Sequence, residues 1–354
     1  MDYLGEAKSI FKKAIAKRAS DLHLISGEKP TIRVDDRLLK LEDESVLEGE
    51  ATEQLILVTM RPEYVERLKS EKEVDFSFNY DGARVRANVY FEQGQMAAAF
   101  RFISEKVRSV DELGLPPITL EFANREQGLV IISGPTGHGK STTIAALIEH
   151  INKSYAKHIV TVEDPIEYIF HNEKCIINQR ELGTDTLSFP RALRSVLRED
   201  PDVVFIGEMR DLDTFEAALT IAETGHLVFS TLHTNNSAQT ADRIVDMFPK
   251  NQQTQVRQQL ANVLVGVVSQ RLLQKASGEG RIPACEIMVV NNAIASLIRE
   301  GRTHQIQSVI QTSASEGMIT LDKVLSDLVS RGEVTLEEAI KWASDVKEFK
   351  KMVF

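Results

Sequence analysis

The octet GPTGHGKS, residues 134–141, limits what this chain can fold into more than any other stretch. It fits G-x-x-x-x-G-K-[ST], follows a short apolar run at 129–132 and opens a helical pattern at 140–153. Glycine matters because a backbone without Cβ winds tightly enough to aim successive N–H groups, and a helix N-terminus, at one anion. A strand before and a helix after make Gly134, Pro135, Thr136, Gly137, His138 and Gly139 a phosphate-cradling loop. Lys140 is then expected to reach the β- and γ-phosphates, Ser141 to ligate Mg²⁺, and Thr142 to touch an α-phosphate oxygen.

The rhythm around the loop sets the fold class. Short apolar runs at 129–132, 159–162, 203–206 and 227–231 alternate with helical segments near 140–153, 189–198, 213–223 and 251–275. Such alternation predicts an α/β domain with a mainly parallel, doubly wound sheet. In that architecture the carboxyl ends of the strands share one edge with the phosphate loop. The run 203–206 passes through Gly207 to Glu208, and 159–162 ends in Glu163 and Asp164, with Glu167 beyond Pro165. Two strands each delivering a carboxylate supply a metal holder and a water-activating base. A lone acid at a strand end is more often a cap, so it is the nearby loop that gives these acids meaning. A third strand ends at His233 and begins after His226; a histidine there could sense the γ-phosphate or relay between subunits.

The first hundred residues follow a different pattern. Leu4, Ala7, Ile10, Phe11, Ala14 and Ile15 form one stripe of a helix over 4–19. TIRV, two aspartates and RLLKL then read as a hairpin. Phe76, Phe78 and Tyr80 alternate before an Asp81-Gly82 turn, Val85, Ala87 and Val89 share a face opposite Arg84 and Arg86, and a last strand covers 97–103. The prediction is an α+β unit with an antiparallel sheet. Gly114 and Pro116-Pro117 mark a linker. The C-terminal tail reads as helical: Leu321, Val324, Leu325 and Leu328 share a face, and Thr335 with Glu338 forms a capping box ahead of Ala339, Ile340 and Trp342.

Composition narrows the function classes. At 354 residues the chain fits two domains, and 42% hydrophobic with 27% charged residues excludes wholesale disorder. A net charge of -10 and a single Trp speak against broad coating of nucleic acid or anionic lipid. Two distant cysteines, Cys175 and Cys285, exclude a disulfide framework and suit a reducing compartment. The opening MDYLGEAKSI lacks a signal-peptide apolar region, and the apolar run 263–268 is far too short to span a membrane, so a soluble intracellular protein is expected. Transferring a γ-phosphoryl group calls for added positive charge. Arg84, Arg86 and Arg101 in the small unit and Arg194, Arg198, Arg210 and Arg271 in the large one are candidates, each by itself more often a solvated surface pair.

Taken together, SDLHL (20–24), GPTGHGKSTT (134–143), TVEDPIEY (161–168), REDPDVVFIGEMRD (198–211) and TGHLVFSTLHTN (224–235) resemble the ordered motif set of the secretion-type ATPases: Walker A, Asp box, atypical Walker B and His box. Three features resemble the type IV pilus retraction ATPases, the PilT family, in particular. The chain starts at the small sheet unit; a four-cysteine zinc element cannot be built from Cys175 and Cys285; and AIASLIRE (293–300) is similar to that family's AIRNLIRE, departing from it at Ala295 and Ser296. His138 is a further departure, standing where the family usually has a small residue, and backbone cradling need not be lost there.

The resemblance implies a PAS-like N-terminal domain over 1–104, a linker at 105–122, and a RecA-like P-loop domain with helical tail over 123–354. It implies a homohexameric ring that binds ATP and Mg²⁺ between the two domains. Arg86 and Arg101 would contact phosphate, with Arg271 of QRLL behind them. Glu163 would activate water and Glu208 hold Mg²⁺, or the reverse, with Lys140, His233 and His226 completing the catalytic set. The implied activity is Mg²⁺-dependent ATP hydrolysis powering pilin depolymerisation and twitching motility. The implied partners are further copies of the chain, an inner-membrane pilus platform protein and a paralogous retraction ATPase. No nucleic acid is implied, membrane contact would be peripheral, and the place would be the cytoplasmic face of the inner membrane. The competing readings are a pilus-assembly or type II secretion ATPase, a RecA-like nucleic-acid motor, and a non-catalytic nucleotide-binding regulator.

Overall fold

The computed structural model describes residues 2–34, 37–81, 83–103 and 107–353. The chain divides into two units, residues 1–106 and 107–354. In the first, α1 (Tyr3–Ala16) is followed by β1 (Asp21–Leu24), β2 (Thr31–Val34), β3 (Arg37–Lys40), α2 (Gly49–Leu57), α3 (Pro62–Glu71), β4 (Glu73–Tyr80), β5 (Ala83–Glu92) and β6 (Gln95–Ile103). The strands form one antiparallel sheet in the order β3-β2-β1-β6-β5-β4. Helix α1 starts where the Asp2 carboxylate accepts the Gly5 N–H at 2.9 Å, and it buries Ala7, Ile10, Phe11 and Ala14. Phe11 anchors the helix against the sheet, its ring 4.9 Å from Phe100 and 5.9 Å from Phe78. Full burial of one such side chain contributes about 1.5–3 kcal/mol. Leu4, expected on the same stripe, is instead half exposed. The expected turns at 35–36 and at Gly82 lie outside the described residues. Sequence periodicity left out α2 and α3, whose apolar faces are short.

In the second unit the helices and strands run α4 (Val110–Leu113), α5 (Ile118–Ala123), β7 (Gly128–Ser133), α6 (Lys140–Ser154), β8 (His158–Glu163), β9 (Ile176–Glu181), α7 (Phe189–Val196), β10 (Val203–Ile206), α8 (Leu212–Glu223), β11 (Leu227–Leu232), α9 (Ser237–Asp246), α10 (Gln253–Val263), β12 (Leu264–Gln274) and β13 (Arg281–Val289). Then come α11 (Asn292–Glu300), α12 (Ile306–Thr312), α13 (Leu321–Ser330), α14 (Leu336–Ile340) and α15 (Val346–Val353). The sheet order is β13-β12-β7-β11-β10-β8-β9, parallel throughout except for the β12–β13 pair. The central strands β7, β10 and β11 are buried at every residue, as strands covered by helices on both faces must be. Among the described residues no helix is long and apolar enough to cross a membrane.

Two expectations need correction. The stretch read as a linker is folded: Ser109 and Glu112 form a full capping box for α4, Gly114 ends it in the left-handed region, and Val110, Leu115 and Phe122 join the core of the second unit. Gly114 and the proline pair therefore act as a helix stop and a helix start, a use of those residues that composition cannot tell from a linker. The helix expected over 251–275 ends at Val263 and continues as strand β12. Val265, Val267 and Val268 favour a pleated, buried surface, and Gly266 lies under Phe122, where a Cβ would stand 2.5 Å from the ring. The Thr335 cap forms as expected, accepting the Glu338 N–H, but the Glu338 carboxylate turns to Lys341 at 2.6 Å instead of closing the box.

Candidate functional site

Four strands of the parallel sheet bring their carboxyl ends to one edge. Registers Leu232↔Ser133, Ile206↔Ser230 and Ile206↔Val162 align the ends of β7, β11, β10 and β8. The residues that leave those ends are Gly134, His233, Glu208 and Glu163, so the expected loop, histidine and two acids meet by topology.

The loop between β7 and α6 is wound through positive φ at Gly134 (143°), Gly137 (79°) and Gly139 (81°). A Cβ on Gly134 would stand 2.4 Å from the Gln270 carbonyl oxygen, so only glycine lets the loop lie against β12. Among the described residues no hydrogen bond is made by the backbone N–H groups of Gly137 and Gly139, which leaves them for an anion. Lys140 is buried, and its ammonium folds back to donate to the carbonyls of Gly134 (2.8 Å) and Pro135 (2.9 Å). Burial, with Arg271 adding to it, lowers its pKa, so an arriving anion would find a cation with little solvent to lose. Thr142 shares a 2.8 Å bond with Tyr168, and Thr143 donates to Gln270 Oε1 at 2.7 Å, which fixes the first turn of α6.

His233 bridges the loop to the acidic edge. Lys140 Nζ lies 3.5 Å from His233 Nδ1, and His233 Nε2 lies 3.2 Å from Glu208 Oε1. Because lysine can only donate, Nδ1 accepts and Nε2 carries the proton toward Glu208. Glu208 Oε2 meets Arg210 at 2.8 Å. Burial raises the Glu208 pKa, but Arg210 and His233 outweigh it, and the net shift is downward. A cleft of about 350 Å³ opens here, lined by Glu208, Arg210, His233 and Arg243 among others.

Glu163 is the opposite case. It is almost wholly buried, accepts from Thr161 at 2.6 Å and from Gln179 at 3.4 Å, and burial pushes its pKa up to about 7. Its neighbours Asp164 and Glu167 are exposed, so of the three acids at the end of β8 only Glu163 is held inside.

Some expected residues stand elsewhere. His226 lies at the amino end of β11, where Nδ1 is 3.0 Å from the Ile221 carbonyl and 3.1 Å from Thr224 Oγ1. Six residues of strand put it about 20 Å from the loop edge, so it caps α8 and takes no part in this cluster. Arg271 is buried and committed: it donates to the carbonyls of Gln270 (3.0 Å) and Asn235 (2.9 Å), fastening the chain that follows His233. It holds a loop here, a role the QRLL pattern does not announce. Arg86 and Arg101 are direct cross-strand partners in the first unit. Arg86 lies 3.7 Å from Asp75 and Arg101 2.9 Å from Asp21, and with Arg101 67% exposed its pair holds it by no more than about 1 kcal/mol. Sequence reasoning missed Thr161, Tyr168, Gln179, Gln270 and Arg243 as site residues. Thr161 and Tyr168 had a signal, the first and last places in TVEDPIEY, and Gln270 had one as the first residue of QRLL.

Comparison with known proteins agrees with this geometry. The family model described as "Type II/IV secretion system protein" matches residues 5–341. The type IV pilus retraction ATPase PilT of Pseudomonas aeruginosa is 45% identical over 332 residues, 94% of this chain and 96% of that protein. A twitching motility protein of Neisseria gonorrhoeae is 44% identical over 93% of this chain and 89% of its own length. The crystal structure of a pilus retraction motor, PilT, with bound ADP superposes with a TM-score of 0.91 at 47% identity, covering 97% of this chain and 98% of that one.

Proposed function

This chain belongs to the type II/IV secretion ATPase family, in its pilus retraction branch, and from that premise we propose that it hydrolyses ATP to power pilus retraction and twitching motility. One observation carries the reading: Lys140, His233 and Glu208 form a continuous polar chain from the phosphate loop to the acidic edge, with buried Glu163 beside it. Gly134 to Thr142 would hold the phosphates through backbone N–H groups and Lys140. Ser141 and Glu208 would hold Mg²⁺, which supplies neutralisation of the phosphate oxygens. Among the described residues no three metal-ligating side chains cluster, so most ligands of such an ion would come from phosphate and water, as Mg²⁺ prefers.

The environments assign the acids. A base must be able to take a proton near neutral pH, and Glu163, at about 7, can. Glu208, lowered, stays ionised and suits the metal. His233 would report the state of the γ-phosphate to Glu208 through its two nitrogens. Arg86 and Arg101 remain the proposed added positive charge, from this subunit or a neighbour in a homohexameric ring. The further partners proposed are an inner-membrane platform protein and a paralogous ATPase, at the cytoplasmic face of the inner membrane. The domain bounds expected from sequence, 1–104 and 123–354 with a linker at 105–122, give way to two units, 1–106 and 107–354.

An assembly or type II secretion role is disfavoured, since the two cysteines cannot make a four-cysteine element. The deciding experiment is Lys140→Ala in the source organism, with surface pili counted and twitching scored. Abundant pili on immobile cells support retraction; bald cells would transfer the chain to assembly, and unchanged pili and motility would remove it from pilus function.

A further inference from the structure

Strand β12 outruns its neighbour. Its last register with β7 is Ser269↔Ser133, yet it continues to Gln274. Beyond Ser269 no strand among the described residues pairs with the edge toward β7, and the phosphate loop lies against it. Two bonds replace the missing ladder: the Leu272 N–H donates to His138 Nδ1 at 2.9 Å, and Gln270 Nε2 donates to the His138 carbonyl at 2.8 Å. Because Nδ1 accepts, the imidazole is neutral with its proton on Nε2. The ring meets Trp342 edge to face, centroids 4.9 Å apart at 73°. Trp342 in turn stacks 5.5 Å from the guanidinium of Arg271, which fastens Asn235 of the loop after His233. Trp342 is the only tryptophan in the chain and lies one residue beyond the stretch matched by the family model.

We infer that His138 is a positioning residue that ties the phosphate loop to β12 and to Trp342, so that phosphate occupancy of the loop is transmitted to the C-terminal helices. A side chain at 138 too short to bring an acceptor to the Leu272 N–H leaves that group to water and frees the loop, whose ordering must then be supplied when nucleotide binds. The tail is packed to receive the signal: Trp342 packs against the apolar cluster that joins Leu273 and Ala284 of the sheet to Leu321, Leu325 and Phe349 of the C-terminal helices. The inference rests on the reading that the loop binds nucleoside phosphates.

The test uses the full chain with His138→Ser and His138→Asn, ADP as probe and Trp342 emission as readout, alongside calorimetry for ADP and the KM and kcat of ATP hydrolysis. The wild type is expected to show a saturable emission change with ADP. His138→Ser should still bind ADP but lose that change, with KM for ATP rising about three- to tenfold and by more than kcat falls, the size of one lost hydrogen bond. In His138→Asn the Oδ1 atom can take the Leu272 N–H, so KM should recover while the emission change stays lost. If His138→Ser does not fold, His138→Asn alone decides on the same two readouts. An undiminished Trp342 response with unaltered KM in either variant overturns the inference, as does failure of asparagine to restore KM. Wild-type protein that binds no ADP by calorimetry would sink the functional reading itself, a distinct result.

Discussion

Glu163 and Glu208 leave adjacent parallel strands at the same sheet edge, yet their surroundings drive them apart. Glu163 is enclosed; among the described residues no cation is bonded to it and its donors are hydroxyl, amide and backbone groups, and burial pushes it up to about 7. Glu208 looks into an open cleft between Arg210 and His233, and its pKa falls below the usual carboxylate range despite partial burial. The difference shows that strand position delivers a carboxylate but neighbours decide its chemistry. An acid poised near neutrality can take a proton from water; one held ionised can stay beside a cation.

The largest expected effect separates the two. Glu163→Gln should lower kcat by about 10²–10⁴-fold, the usual loss on removing a general base, while ADP affinity holds. Glu208→Gln should instead raise the Mg²⁺ concentration needed for half-maximal rate by about 10- to 100-fold, with part of the rate recovered at high Mg²⁺. Steady-state kinetics over a Mg²⁺ titration reads both. Recovery of Glu163→Gln by Mg²⁺, with none for Glu208→Gln, would reverse the assignment.

Which parts of this arrangement the sequence carried follows from how local their causes are. The phosphate loop is legible because its glycines, lysine and flanking elements lie within one strand–turn–helix, and the four central strands are legible as short apolar runs. The same locality explains the misreadings. Nothing near Val263 says that β12 will find β7 as a neighbour, so a run of apolar residues reads equally as helix or strand. His226 and His233 flank one strand and look alike in sequence, although β11 sends them to opposite edges. The orientation of the Glu163 carboxylate depends on Thr161, two residues away, but its burial depends on Gln179 and the loop to Glu167, which only the sheet brings together. Arg271 was visible as a cation and invisible as a tether, because Asn235 and Trp342 are far from it in the chain.

A second, smaller effect should appear with pH. If Glu163 is the base, kcat/KM should climb as pH rises through about 7 in the wild type, and this limb should vanish in Glu163→Gln. Stability should move the other way. With a folded pKa raised from 4.5 to about 7, the native state holds a proton that the unfolded chain has released, so stability falls as pH rises between those values. Glu163→Gln removes that loss, and its melting temperature should gain on the wild type between pH 5 and pH 8. A rate that is flat or falling across neutrality, or a melting difference independent of pH, would show that burial does not govern Glu163.

The smallest effect tests the other side of the contrast. Arg210 is 68% exposed and pairs with Glu208 at 2.8 Å, so solvent and salt screen the attraction. Such a pair is worth up to about 1 kcal/mol, or about fivefold in an equilibrium. His233 still holds Oε1 when Arg210 is removed, and Glu208 remains ionised at neutral pH with an ordinary carboxylate pKa. Arg210→Ala should therefore shift the Mg²⁺ requirement by less than about fivefold, and raising the salt concentration should shrink the gap to wild type. A loss in Arg210→Ala as deep as in Glu208→Gln would mean that the arginine grips phosphate directly, and that Glu208 is set in place by the arginine more than by the strand that carries it.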